Sequence, residues 1–261
     1  MKSNTLISAM LLFLTATGCG ESSLADKGFQ VSSDEDELDG EAQTGLSRDS
    51  LEIETRPSSV LLTGVPQIRL TTIYKVNENK RDHTTFIGSN SMHYRYDESD
   101  EAFGHFWHGN LMPGLAAVYG YNMVNVSHYN IQSQEQTYFF DKPVLIKTLY
   151  YPTYLKDTLS YNPVSRNYCM VSVYNEDTNK DHFINLKDLR RLYLFNLNGE
   201  KQSALIPENY TVMKSEYDPQ NDLMYVFAQL DSNQNGSPDQ SEPIHIFWIN
   251  LKDPTQTGRQ Y

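Results

Sequence analysis

From residue 59 onward the chain alternates short apolar runs with polar turns, and no stretch holds a 3.6-residue apolar spacing long enough for a substantial helix. Runs at 59–63, 67–76, 91–96, 123–128, 137–140 and 144–149 are rich in β-branched and aromatic residues and are bounded by Gly, Pro, Asn and Asp. The pattern predicts short β-strands joined by tight turns.

One strand type returns. Tyr121-Asn122-Met123-Val124-Asn125-Val126 is echoed by Tyr168-Cys169-Met170-Val171-Ser172-Val173, and more loosely by Leu223-Met224-Tyr225-Val226-Phe227-Ala228, at intervals of 47 and 55 residues. A constant shift of 54 lays an acidic loop beginning at Asp177 on one beginning at Asp231 without a gap, and carries Leu194-Phe195-Asn196-Leu197 onto Trp248-Ile249-Asn250-Leu251. Ahead of the loops, Tyr161-Asn162-Pro163 is matched by Tyr217-Asp218-Pro219. The unit reads turn, strand, acidic loop, strand, polar turn. Several strands per period of about 40–55 residues mark propeller blades, and the segment 192–205 resembles blades of TolB-like bacterial β-propellers. The expected fold is therefore all-β: a small β-propeller-like repeat domain of about four units. A closed four-bladed ring, an incomplete ring and a β-sandwich all remain open.

The acidic loops carry the candidate chemistry. Asp231, Asn233, Asn235, Ser237, Asp239 and Glu242 stand at positions 1, 3, 5, 7, 9 and 12 of a twelve-residue loop with Gly236 at position 6. A hard cation needs six or seven oxygens, a glycine permits the sharp positive-φ turn, and a glutamate can return with both oxygens. This resembles the EF-hand loop, in which Ser237 would offer its backbone carbonyl. Pro238 replaces the usual aliphatic residue, and Pro243 argues against an exiting helix. The earlier loop places Asp177, Asn179, Asp181, Phe183, Asn185 and Asp188 at the same positions. Ile184 and Leu189 fit the resemblance, but His182 replaces the glycine and should be strained at positive φ. Asp188, one methylene shorter than Glu, resembles dockerin-type loops and predicts a weaker site. A helical turn is expected near 186–190. The resemblance implies two structural Ca2+ sites set between strands rather than helices; the plain alternative is a pair of Asp/Asn-rich turns supplying caps and solubility.

The first nineteen residues read as an address. Lys2 supplies a positive start, 6–14 an apolar core, and Ala16-Thr17-Gly18-Cys19 follows. This run resembles the lipobox of bacterial lipoproteins, although Ala16 stands where that pattern most often has Leu. The resemblance implies a signal peptide at 1–18, a lipid on Cys19 and, because Gly20 is not Asp, an outer-membrane or cell-surface location. Residues 19–58 are poor in aromatics and include Asp34-Glu35-Asp36-Glu37, and are expected to be a disordered acidic tether. The folded domain is then 59–261.

Composition narrows the functions. The 18 Tyr and 11 Phe suit half-buried strands. A net charge of −12 repels phosphate backbones, so nucleic acid is discounted as a partner. With only two cysteines, one of them in the lipobox, no disulfide framework is expected. His105 and His108 share a metal-compatible spacing but have no third ligand nearby, and no nucleophile elbow, phosphate loop or zincin helix is present. The preferred reading is a membrane-anchored, calcium-binding lipoprotein of the cell envelope, not an enzyme. Its domain would bind or scaffold a protein or glycan, with Tyr94, Trp107 and Tyr119 as candidate stacking residues. The alternative is an envelope hydrolase using a propeller face.

Overall fold

The computed structural model describes residues 27–31, 53–79, 81–93 and 112–261. It contains β1 (Gly28–Gln30), β2 (Thr55–Leu62), β3 (Ile68–Glu78), β4 (Thr85–Ile87), β5 (Ser91–His93), β6 (Leu115–Tyr119), β7 (Met123–Asn130), β8 (Glu135–Tyr138) and β9 (Leu145–Pro152). Then follow β10 (Asp157–Leu159), β11 (Asn162–Val164), β12 (Tyr168–Tyr174), β13 (Phe183–Asn185), β14 (Arg191–Asn196) and β15 (Lys201–Ala204). The C-terminal part holds β16 (Tyr210–Asp218), β17 (Leu223–Leu230), β18 (Ile244–Asn250) and β19 (Thr257–Arg259). The fold is all-β, with no helix among the described residues.

Three four-stranded antiparallel meanders organise these strands: β2-β3-β7-β8, β9-β12-β14-β15 and β16-β17-β18-β19. The first two join into one sheet where β6 and the start of β7 pair with β9. The first three strands of the middle meander are buried on both faces, while β15 is exposed. Leu149, Cys169, Val171, Tyr193 and Phe195 pack with Leu70, Tyr74 and Val126 of the first unit, while Tyr150, Met170, Leu192 and Leu194 pack with Val212, Met224, Val226 and Ile249 of the third. Burial on two faces explains why β12 is an unbroken apolar run, buried at every position, whereas β17, with one wetter face, alternates. Three stacked meanders are described where the period allows about four units, and no ring closes among the described residues.

A buried ion pair ties the second and third units. Arg166 Nη2 donates to Asp222 Oδ1 and Oδ2 at 2.8 and 3.0 Å, its Nε to Pro113 O at 3.0 Å and its Nη1 to Leu251 O at 2.6 Å. Tyr168 Oη adds a bond to the same Leu251 carbonyl at 2.8 Å. Burying two charges is tolerable here because the guanidinium is satisfied on every side.

The stretch 19–58 is not all tether. β2 begins at Thr55, and β1 pairs antiparallel with β13, registering Gly28 with Asn185, Phe29 with Ile184 and Gln30 with Phe183. Phe29 is buried with Val124, Leu145, Tyr174 and Ile184 in a separate small cluster. Ordering a residue costs about 1–2 kcal/mol of backbone entropy, against about 1.5–3 kcal/mol from burying one Phe and about 1 kcal/mol per hydrogen bond. For a five-residue segment these terms nearly cancel. Cys19, Tyr94, Trp107, His105 and His108 lie outside the described residues.

Candidate metal centre

The two acidic loops occupy equivalent places. Residues 177–188 join β12 to β14, and residues 231–242 join β17 to β18, in each case the second and third strands of a meander. The shift of 54 in the sequence is thus a repeat in the fold.

Their internal hydrogen bonds repeat as well. At position 1, Asp177 Oδ1 and Oδ2 accept the amides of Asp181 and His182 at 3.0 and 2.8 Å. Asp231 does the same for Asn235 and Gly236, both at 3.1 Å. Position 3 accepts from the amide of position 5, and position 5 from that of position 7, in both loops. At position 9, Asn185 and Asp239 each take the amide two residues on. That contact, with the Asp188 amide donating to Asn185 O at 3.4 Å, forms a turn at Leu186–Lys187, and no helix follows it at 186–190. Positions 4 and 6 are left-handed in both: Lys180 at φ 60° and His182 at 65°, Gln234 at 57° and Gly236 at 72°. His182 therefore carries the strain the sequence implied.

Position 12 closes each loop and is where they diverge. Asp188 Oδ1 accepts the amides of Thr178 and Asn179 at 2.8 and 3.5 Å, and its Oδ2 accepts that of Asn185 at 2.8 Å. Burial pushes the Asp188 carboxyl above the usual carboxylate range, Asp177's charge adds to the rise, and the three amides oppose it. Glu242 uses only Oε1, which accepts from Ser232 and Asn233 amides at 2.8 and 3.2 Å. Its Oε2 is buried and has no hydrogen-bond partner. A bare buried carboxylate oxygen is costly unless a cation or water meets it.

The residues present fit a hard cation in part. Each loop offers oxygen donors only, three of them carboxylates, and the second also offers an oxygen without a partner. In the first loop Asn179 and Asn185 donate toward Asp181 Oδ2 at 3.4 and 3.5 Å, so positions 3, 5 and 9 converge. Among the described residues, however, no group of three or more His, Cys, Asp or Glu side chains is gathered closely enough to hold a metal ion. The loop carboxylates are turned to backbone amides instead. For Ser237 and Phe183 the expected role is a backbone carbonyl. The Phe183 and Asn185 amides donate into the first loop, to Asp181 and Asp188, and a strand residue's carbonyl points the same way as its amide.

Two residues matter that the ligand spacing does not single out. Thr178 Oγ1 donates to Gly236 O at 2.6 Å and accepts the Leu189 amide at 2.8 Å, so the loops touch. Gly236 is required twice over, by its φ and because a Cβ there would lie 1.9 Å from Thr178 O. Gln229, buried at the end of β17, donates Nε2 to the carbonyls of Asp239 and Glu242 and holds the second loop's exit.

Away from the loops, an open cleft of about 630 Å³ lies between the β7–β8 hairpin and the β14–β15 turn, lined by Asn130, Glu135, Tyr138, Asp141, Asn198 and Lys201 among others. No protein-family model and no curated protein matches this chain.

Proposed function

We propose that this chain is a calcium-binding lipoprotein of the bacterial envelope, anchored through Cys19, in which calcium fastens two long loops of a β-domain that binds or scaffolds a protein or glycan. The observation that carries the reading is the buried, unpartnered Glu242 Oε2 closing a loop whose oxygen-ligand pattern recurs 54 residues earlier. Asp177, Asn179, Asp181, Asn185, Asp188 and the Phe183 carbonyl would hold one ion. Asp231, Asn233, Asn235, Asp239, Glu242 and the Ser237 carbonyl would hold the other. Bound calcium would supply charge neutralisation alone: two like charges about 4 Å apart repel by about 4 kcal/mol at an effective dielectric of about 20. The cleft beside β8 offers a place for the partner, since Tyr138 is 54% exposed there and amides and carboxylates surround it.

Melting temperature against calcium, with magnesium as control, tests the metal reading. At a hundredfold excess over Kd one site adds about 2.7 kcal/mol, and extracellular calcium modules fill at about 0.1–1 mM. No response up to about 10 mM, well above that range, rejects it. Detergent-phase partitioning tests the anchor: Cys19→Ser should move the protein to the aqueous phase, and equal partitioning of mutant and wild type rejects lipidation.

A further inference from the structure

The cleft of about 630 Å³ between the β7–β8 hairpin and the turn from β14 to β15 has the volume of an ordinary small-ligand site. Its walls are held in place by the chain itself. On one side the cross-strand pairs His128–Thr137 and Asn130–Glu135 share a face of the hairpin, since they lie two residues apart along each strand. Asn130 Oδ1 fixes the hairpin's own turn by accepting the amides of Gln132 and Ser133 at 2.9 and 3.3 Å. On the other side Asn196 Oδ1 accepts the amides of Asn198 and Glu200 at 2.9 and 3.0 Å, and its Nδ2 donates to Glu200 Oε2 at 2.7 Å. Gly199 completes this turn at φ 80°, so close to the hairpin that a Cβ would stand 3.3 Å from both His128 Cβ and the Phe139 ring.

His128, which lines the cleft, is 5% exposed, and its Nε2 has no hydrogen-bond partner. Its Nδ1 lies 3.4 Å from Thr137 Oγ1. Burial lowers the imidazolium below the usual histidine range, and the Leu197 carbonyl opposes this in part without closing a bond to Nε2. The ring is therefore neutral at pH 7. A buried ring nitrogen without a partner is costly unless a bound group or water meets it. The groups around it narrow what that bound group is. Glu135 and Asp141 only accept, the Lys201 ammonium only donates, and Thr137 and Asn198 do both. An anion would face three carboxylates, those of Glu135, Asp141 and Glu200, and a cation would face Lys201. A hydroxyl both donates and accepts, so it suits every one of these side chains and His128 in either tautomer.

We propose that this cleft takes an uncharged saccharide, its hydroxyls bonded to Glu135, Asp141, Asn198 and Lys201 and its innermost one directed at His128. The proposal rests on the reading of the domain as a binding module and narrows the partner from protein or glycan to glycan. Because both walls are braced by asparagine-capped turns, little ordering accompanies binding.

Titration calorimetry on the detergent-solubilised full chain tests this, with cellohexaose, maltohexaose and N-acetylated chitohexaose as probes. At least one should bind. Glu135→Gln and Asn198→Ala change exposed side chains and leave the core untouched, and each should weaken that probe by about fivefold, the worth of one ordinary hydrogen bond. Nitrogen NMR should show the His128 imidazole shift moving as the probe saturates, with His128→Gln assigning the signal. No heat from any of the three probes at millimolar concentration overturns the proposal, and so does a probe whose affinity neither variant changes, since it then sits elsewhere. Hexalysine binding in place of the saccharides, and lost in Glu135→Gln, gives the cleft to a cationic protein segment and also overturns it. Melting of the same samples with and without calcium keeps the two readings apart. A calcium-stabilised chain that binds no probe loses this inference alone, whereas a chain that binds a probe through Glu135 and Asn198 without responding to calcium loses only the calcium reading.

Discussion

At the twelfth position of the first loop stands Asp188, and at that of the second Glu242. Both carboxylates are buried, both accept the amides of the loop's second and third residues, and both follow the same chain of amide contacts through positions 1, 3, 5 and 9. Yet Asp188 has spent both oxygens on backbone amides, while Glu242 keeps one free. The extra methylene accounts for the difference, because it lets the glutamate cap the loop's start with one oxygen and leave the other for a cation. In the first loop both carboxylate oxygens tie the ends of the loop together through amides; in the second, one oxygen does so and the other is left without a partner. Position 6 divides the loops in the opposite sense, since the second has the unstrained glycine and the first an exposed histidine at φ 65°.

The largest effect should follow from breaking the contact between the loops. Gly236→Val places a Cβ against Thr178 O and a β-branched residue at φ 72°. Left-handed strain of about 1–2 kcal/mol and overpacking of about 1–3 kcal/mol together predict a loss of about 2–5 kcal/mol in urea unfolding. His182→Val, at the equivalent but exposed position, should lose less, because the outgoing residue already bears part of the left-handed strain. Equal losses would show that the Thr178–Gly236 contact contributes nothing.

Next comes the twelfth position itself. Glu242→Gln keeps an acceptor for Ser232 and Asn233 but removes the charge and the free oxygen, so calcium affinity of the second loop should fall at least tenfold, about 1.4 kcal/mol, with little change in calcium-free stability. Asp188→Asn should do the reverse. Its amide nitrogen must face a backbone N–H, costing about 1–3 kcal/mol for an unsatisfied buried donor, while the first loop's calcium affinity falls less. Calorimetry and calcium-free melting on both variants check the crossing. If both variants lose affinity equally, the bare oxygen has no special role.

His182→Gly should act more weakly and in the favourable direction, raising calcium-free stability by about 0.5–1 kcal/mol, because relief of a left-handed side chain outweighs the added freedom of the unfolded chain. A fall in melting temperature would show that the histidine's side chain contributes something its exposure does not reveal.

Much of this arrangement was legible in the chain. The strands are, since β-branched and aromatic alternation is a local signal, and the loops are, since their ligand spacing and 54-residue shift can be counted. What escaped depends on contacts far apart in sequence. Phe29 and Val31 lie in a stretch that is otherwise mostly polar, so composition assigns it to a tether, and the pocket formed by Val124, Leu145, Tyr174 and Ile184 makes Phe29 a core residue. Thr178 is at a non-ligand position, and its bond to Gly236 exists because two sheets stack and bring their loops to one end. Glu242's free oxygen is likewise invisible until the amides that claim its other oxygen are in place.

The smallest expected effect separates the loops by pH. In the calcium-free domain burial holds the Asp188 carboxyl above the usual range despite three amide donors. The folded state therefore binds this proton more tightly than the unfolded chain, whose Asp titrates near about 3.9. The resulting stability is complete below that value and is lost as pH rises through the folded pKa. Acidification from neutral toward about pH 4, close to that reference value, should thus favour wild type over Asp188→Asn, because only the wild type can take up the proton. Melting temperatures of the two proteins in chelator, compared at both pH values, measure the change in their difference and cancel the titration of every other carboxylate. A difference that stays constant across the range would mean that the amides, not burial, govern this carboxylate.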